Sequence, residues 1–70
     1  MQKQELEMFV GQQVLLTRRT TQNKLMFYNG QIKQLYNDAL IFEDKFGKML
    51  LIPFETIEHV ETQEREWIDQ

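Results

Sequence analysis

Residues Ala39 to Val60, ALIFEDKFGKMLLIPFETIEHV, decide the fold. Ala39 to Glu43 alternates enough to read as a strand, with Leu40 and Phe42 on one face. Asp44 to Gly47 follows as a hairpin turn in which Gly47 takes a positive φ. Lys48 to Ile52 is a second apolar strand. Pro53 has no N–H to give a ladder, so pairing stops there. Phe54 to Thr56 fits a single helical turn, and Ile57 to Glu61 a short last strand that turns Ile57 and Val60 inward. Strand, tight turn, strand, proline stop, helical turn and strand form the closing half of a very small antiparallel β-barrel.

The residues before this stretch supply the other half. Gln2 to Phe9 is built from good helix formers, and Leu6, Phe9 and Val10 fall at i, i+3 and i+4 on one face. Gly11 stops the helix, which is too short to stand alone and must dock on the barrel. Gln12 to Thr17 is the first strand, with Val14 and Leu16 on one face and Leu15 on the other. The polar run Arg18 to Lys24, RRTTQNK, is the first loop. Leu25 to Tyr36 is a long second strand in which Met26, Tyr28, Gly30 and Ile32 share a side. Gly30 marks a bend or bulge, and Leu35 breaks the alternation a second time. Asn37-Asp38 turns the chain into Ala39. The expected architecture is all-β: a five-stranded, strongly bent antiparallel barrel with a short N-terminal α-helix. Residues 1–62 form this one domain, and residues 63–70 a charged tail.

Size and composition exclude several classes of function. Seventy residues allow a single domain with a small core. The chain has no cysteine, so neither disulfides nor a Cys/His zinc site can staple it. It also has no serine, and its one histidine, His59, lies between Glu58 and Val60 where it points to solvent. The usual nucleophiles are thus missing, and no enzyme, cofactor, metal or small-molecule substrate is expected. No apolar run approaches the roughly 20 residues needed to span a bilayer. The N-terminus lacks the apolar core and cleavage site of a signal peptide, so a cytoplasmic protein without a membrane partner is expected.

The net charge of −3 hides an asymmetry. Residues 10–34 hold Arg18, Arg19, Lys24 and Lys33 and no acid, whereas residues 35–70 hold nine acids against three bases. A bipolar surface follows.

Five short strands behind an N-terminal helix resemble the Sm-like fold, which includes the Sm and LSm proteins and bacterial Hfq. The likeness runs from about Leu6 to Val60. It rests on Val10-Gly11 before the first strand, Gly30-Gln31-Ile32 in the bent second strand, the aliphatic third and fourth strands, and Ile57 before the last. IPFETIEHV is similar also to the end of the C-terminal domain of the ribosome maturation factor RimP, another SH3-like barrel. The resemblance implies a small bacterial module that self-associates through strand edges and meets RNA or a ribonucleoprotein. It does not carry over an RNA site. Ile52-Pro53-Phe54-Glu55 stands where Hfq has its Tyr-Lys-His signature, and Tyr36-Asn37-Asp38 does not match the Asp and Met-Asn of Sm proteins.

The candidate RNA contacts are therefore the basic loop residues Arg18, Arg19 and Lys24, with Lys33 and Tyr28 on the next strand. Cations meet phosphates, and aromatic rings such as Phe27 and Tyr28 stack on bases. The alternative places Phe27 and Tyr28 in or around the core, and makes the chain an SH3-like protein–protein adaptor without nucleic acid. Phe46 in the turn and Trp67 and Ile68 in the tail are the candidate partner or oligomer contacts, since an aromatic on a polar segment is costly to expose.

Overall fold

The structure is a computed structural model, and it describes residues 1–63. Helix α1 (Lys3–Leu6) runs into a single 3-10 turn (Glu7–Phe9). Five strands follow, β1 (Gln13–Arg19), β2 (Leu25–Leu35), β3 (Ala39–Asp44), β4 (Met49–Pro53) and, after a 3-10 turn (Phe54–Thr56), β5 (Ile57–Thr62). They form one antiparallel sheet in the order β4-β3-β2-β1-β5. Trp67 and Ile68 lie outside the described residues.

The alternation of side chains explains the core. Val14 and Leu16, Ile32, Leu40 and Phe42, Ile52, and Ile57 and Val60 are buried, and all join one cluster. Ile52 and Val60 sit on opposite edges of the sheet, so sharing a cluster requires the sheet to curl. The curl stops short of a barrel: β4 and β5 are joined by the 54–56 turn and not by a ladder. A β-bulge in β1–β5 at Thr17/Arg18 and another in β2–β3 between Ile32 and Gln34 add local bend and twist.

The N-terminal segment covers the concave side. Leu6 is fully buried, and Met1 and Phe9 pack against the cluster. The Glu5 carboxylate accepts the Gln2 N–H at 2.7 Å, and the Met1 amino group donates to the Phe54 carbonyl at 3.1 Å. The helix is shorter than the expected 2–9, because its second half tightens to 3-10 geometry. Val10 leaves the shared helical face and bridges Ile32 in parallel, which exposes its side chain.

Two glycines act for different reasons. At Gly30 a Cβ would lie 2.0 Å from the Glu43 carbonyl oxygen, so β2 and β3 approach too closely there for any side chain. The second irregularity in β2 lies at Lys33, between Ile32 and Gln34. At Gly47 φ is +84°, the left-handed value that the β3–β4 turn needs. That turn is closed by its own bonds. Asp44 N–H donates to Lys48 O and Gly47 N–H to Asp44 O, both at 2.9 Å. Asp44 Oδ1 accepts the N–H of Phe46 and of Lys48, also at 2.9 Å.

Candidate functional site

The basic loop is shorter than its sequence suggests. Arg18 and Arg19 belong to β1, paired with Met26 and Leu25, so the hairpin reaches two residues further out. Only residues 20–24 form the tip. There Thr20 N–H donates to Lys24 O at 2.8 Å, and Asn23 turns the chain with φ of 65°. Asparagine tolerates that conformation better than most side chains.

Strand alternation separates the two arginines. Arg18 continues the inward series of Val14 and Leu16, and its Nε is buried without a hydrogen-bond partner. Arg19 turns to the outer face. Its Nε lies 3.2 Å from Glu58 Oε2 on β5, and its Nη1 donates to Asn23 Oδ1 at 3.0 Å. Lys24 is exposed at the tip. Lys33 sits well away from the tip, at the β2 irregularity, with Nζ 3.5 Å from Glu43 Oε1. Tyr28 is half-buried and edge-on to Phe42, with ring centroids 6.2 Å apart. The structure therefore gathers Arg18, Arg19 and Lys24 at one end of the β1–β2 hairpin, pairs Arg19 and Lys33 with acids, and turns Tyr28 to the core. His59 is exposed, with Nε2 3.3 Å from Glu61 Oε1.

The aromatic exposed at this end is Phe27 rather than Tyr28. Leu25, Met26 and Phe27 are all exposed, Phe27 at 64%. Phe27 pairs with Thr17 and shares the outer face with Leu25 and Arg19. The sequence did carry a signal for this, an apolar triplet directly after a polar loop, where a hairpin runs past the core.

The second exposed apolar surface is the outer face of β4. Met49 and Leu51 are 56% and 62% exposed, beside Ile41 of β3. Leu50 and Ile52 take the inner face. With four consecutive apolar residues, β4 gave no alternation from which to choose the outward pair. Among the described residues Phe46 is the most exposed large apolar side chain, at 83%, with Lys45 Nζ 5.3 Å from its ring centroid. Its exposure is imposed by the bonded turn rather than by a loose loop. An open hollow of about 480 Å³ is lined by Met1, Lys3, Asp38, Pro53, Phe54 and Glu55 among others.

Among the described residues there is no group of three or more His, Asp or Glu placed to hold a metal ion, and no helix long and apolar enough to cross a membrane. Comparisons with protein-family models, with curated proteins and with solved structures find no match, so the arrangement of these surfaces carries the functional reading by itself.

Proposed function

We propose that the chain is a non-enzymatic binding module of the small SH3-like or Sm-like barrel kind, which engages protein strands, further copies of itself included, through the free edge of β4. The observation that carries this reading is the outer edge of β4, which has no strand beside it among the described residues, with Met49 and Leu51 held outward there. An open edge bearing apolar side chains is a template for an added strand. The test is amide exchange at low protein concentration with an extended peptide alternating leucine and threonine. Met49 and Leu51 amides gain protection if the edge accepts a strand, while β5 amides do not. Equal or absent protection on both edges removes the reading.

A second reading, contact with single-stranded RNA or a ribonucleoprotein, is favoured by one observation. Exposed Phe27 lies on a hairpin that carries Arg18, Arg19 and Lys24 and no acid. A base stacks on Phe27 while Lys24 and Arg19 meet phosphates, with Arg19 exchanging its Glu58 partner. Fluorescence anisotropy with an unstructured oligonucleotide checks it. Binding falls steeply with salt and is lost in Arg18→Ala/Arg19→Ala, and an unchanged affinity in that double variant removes it.

A further inference from the structure

The free edge of β4 is complementary to itself, and we propose that its partner is a second copy of this chain, β4 against β4, about a two-fold axis at Leu50. This rests on the strand-accepting reading and names the strand accepted.

Backbone hydrogen bonds fix which groups the edge offers. Asp44 N–H donates to Lys48 O at one end of the β3–β4 pair, and Phe54 N–H donates to Asp38 O at the other. The register between them is unbroken. Antiparallel ladders alternate bonded and unbonded pairs, so Leu50 and Ile52 turn their N–H and C=O groups toward β3. Those of Met49 and Leu51 point away from the sheet. Pro53, next in that series, has no N–H, and its carbonyl already accepts the Thr56 hydroxyl at 2.8 Å. Among the described residues, two donors and two acceptors remain on this edge.

One antiparallel register uses all four. It sets Met49 opposite Leu51 of the partner subunit, and Leu50 opposite Leu50 of the partner subunit. A two-fold axis normal to the sheet keeps the outer faces continuous, because side chains of directly paired residues share a face. The outward Met49 and Leu51 then cover one another across the joint, with Ile41 behind them. On the inner face the two half-buried Leu50 side chains meet and extend each core toward the other. Lys48, the one charge beside the strand, falls opposite Ile52 of the partner subunit and away from its own copy.

The other edge does not fit as well. Gln63 N–H donates to Gln13 O, so alternation turns the backbone N–H and C=O groups of Val60 and Thr62 toward the open edge of β5. Antiparallel pairing of Met49 and Leu51 with those two places Leu50 opposite Glu61 of the partner subunit, an apolar side chain against a carboxylate. Glu58, His59 and Glu61 give β5 the charged character that discourages strand addition.

The experiment measures the solution mass of the intact chain by light scattering over a concentration series, together with single-cysteine crosslinking. The expected mass is twice 8.5 kDa. Leu50→Cys, in a chain with no other cysteine, gives a disulfide-linked dimer on mild oxidation. Leu51→Cys does not, because its copy lies displaced along the strand, beyond the roughly 7 Å Cα separation that a disulfide tolerates. Leu51→Lys weakens the dimer about tenfold or more with an unchanged circular dichroism spectrum. A closed assembly larger than a dimer, or crosslinking through Leu51→Cys in preference to Leu50→Cys, overturns the proposal. So does a monomer at millimolar concentration. A monomer whose Met49 and Leu51 amides are still protected by the added peptide overturns the second-copy partner alone, and one without that protection removes the strand-accepting reading as well.

Discussion

The two edges of this sheet are built to opposite specifications. On β4 the outward side chains are Met49 and Leu51, and the strand is tied to β3 by a short turn in which Asp44 Oδ1 accepts the N–H of Phe46 and of Lys48. On β5 they are Glu58, His59 and Glu61, and the strand is tied to β1 by pairs as distant in sequence as Leu15 and Glu61. One edge is apolar and locally organised, the other charged and held from afar. A protein that had to stay alone would protect both edges with charge. Charge on one side only is the contrast on which the proposed pairing through β4 rests.

Substitutions can break or sharpen this contrast. The largest effect is expected where both edges depend on one residue. Phe42 is fully buried between Tyr28 and the inner residues of the curled sheet, and Phe42→Ala costs about 3–5 kcal/mol in urea denaturation, with both edges lost together. Next is Gly30→Ala. Its new Cβ meets the Glu43 carbonyl, and forcing β2 from β3 costs about 1–3 kcal/mol by the same measurement. This change loosens β3 and with it β4, so amide exchange rises more on the β4 side than on β5. Asp44→Ala acts on the β4 side alone. Loss of the two bonds from Phe46 and Lys48 N–H to Asp44 Oδ1 costs about 1–2 kcal/mol in thermal unfolding, and those two amides exchange faster. The smallest effect belongs to β5. Arg19 and Glu58 are both 40% exposed or more, so Arg19→Ala costs at most about 1 kcal/mol. A loss from Arg19→Ala larger than that from Asp44→Ala contradicts the view that charge on β5 serves to protect rather than to hold.

The sequence was legible where periodicity and special residues spoke together. Gly47 and the 54–56 turn fall where expected, as do the inward residues Leu40, Phe42, Ile57 and Val60, whereas Pro53 does not stop the pairing: it is the last residue of β4, opposite Ala39, and Phe54 N–H still bonds Asp38 O. Leu25 shows the opposite case. It starts a strand as expected, yet it is exposed because the β1–β2 hairpin outruns the core. The continuation of β1 through Arg18 and Arg19 was hidden because polar residues in a run read as a loop, while the bonds that extend the hairpin come from Leu25 and Met26 across the strand. That alternation would send Arg18 and Arg19 to opposite faces could be known only once both were placed in one strand. For β4, four apolar residues in a row concealed which two face out, and edge position is a property of the whole sheet that no local window contains. Partners such as Glu58 for Arg19 and Glu43 for Lys33 lie on other strands, so the sequence showed four cations where the surface offers fewer free ones.

The closed turn at Asp44 also sets an order in time. A hairpin of this kind forms in about 1–10 μs, since its pairs are near neighbours in the chain. The pairing of β1 with β5 must wait for the ends of the domain to meet. Met49 and Leu51 are therefore displayed on a formed strand before the sheet around them is complete. If β4 pairs with its own copy as proposed, chains emerging close together meet at that strand first, in the register centred on Leu50.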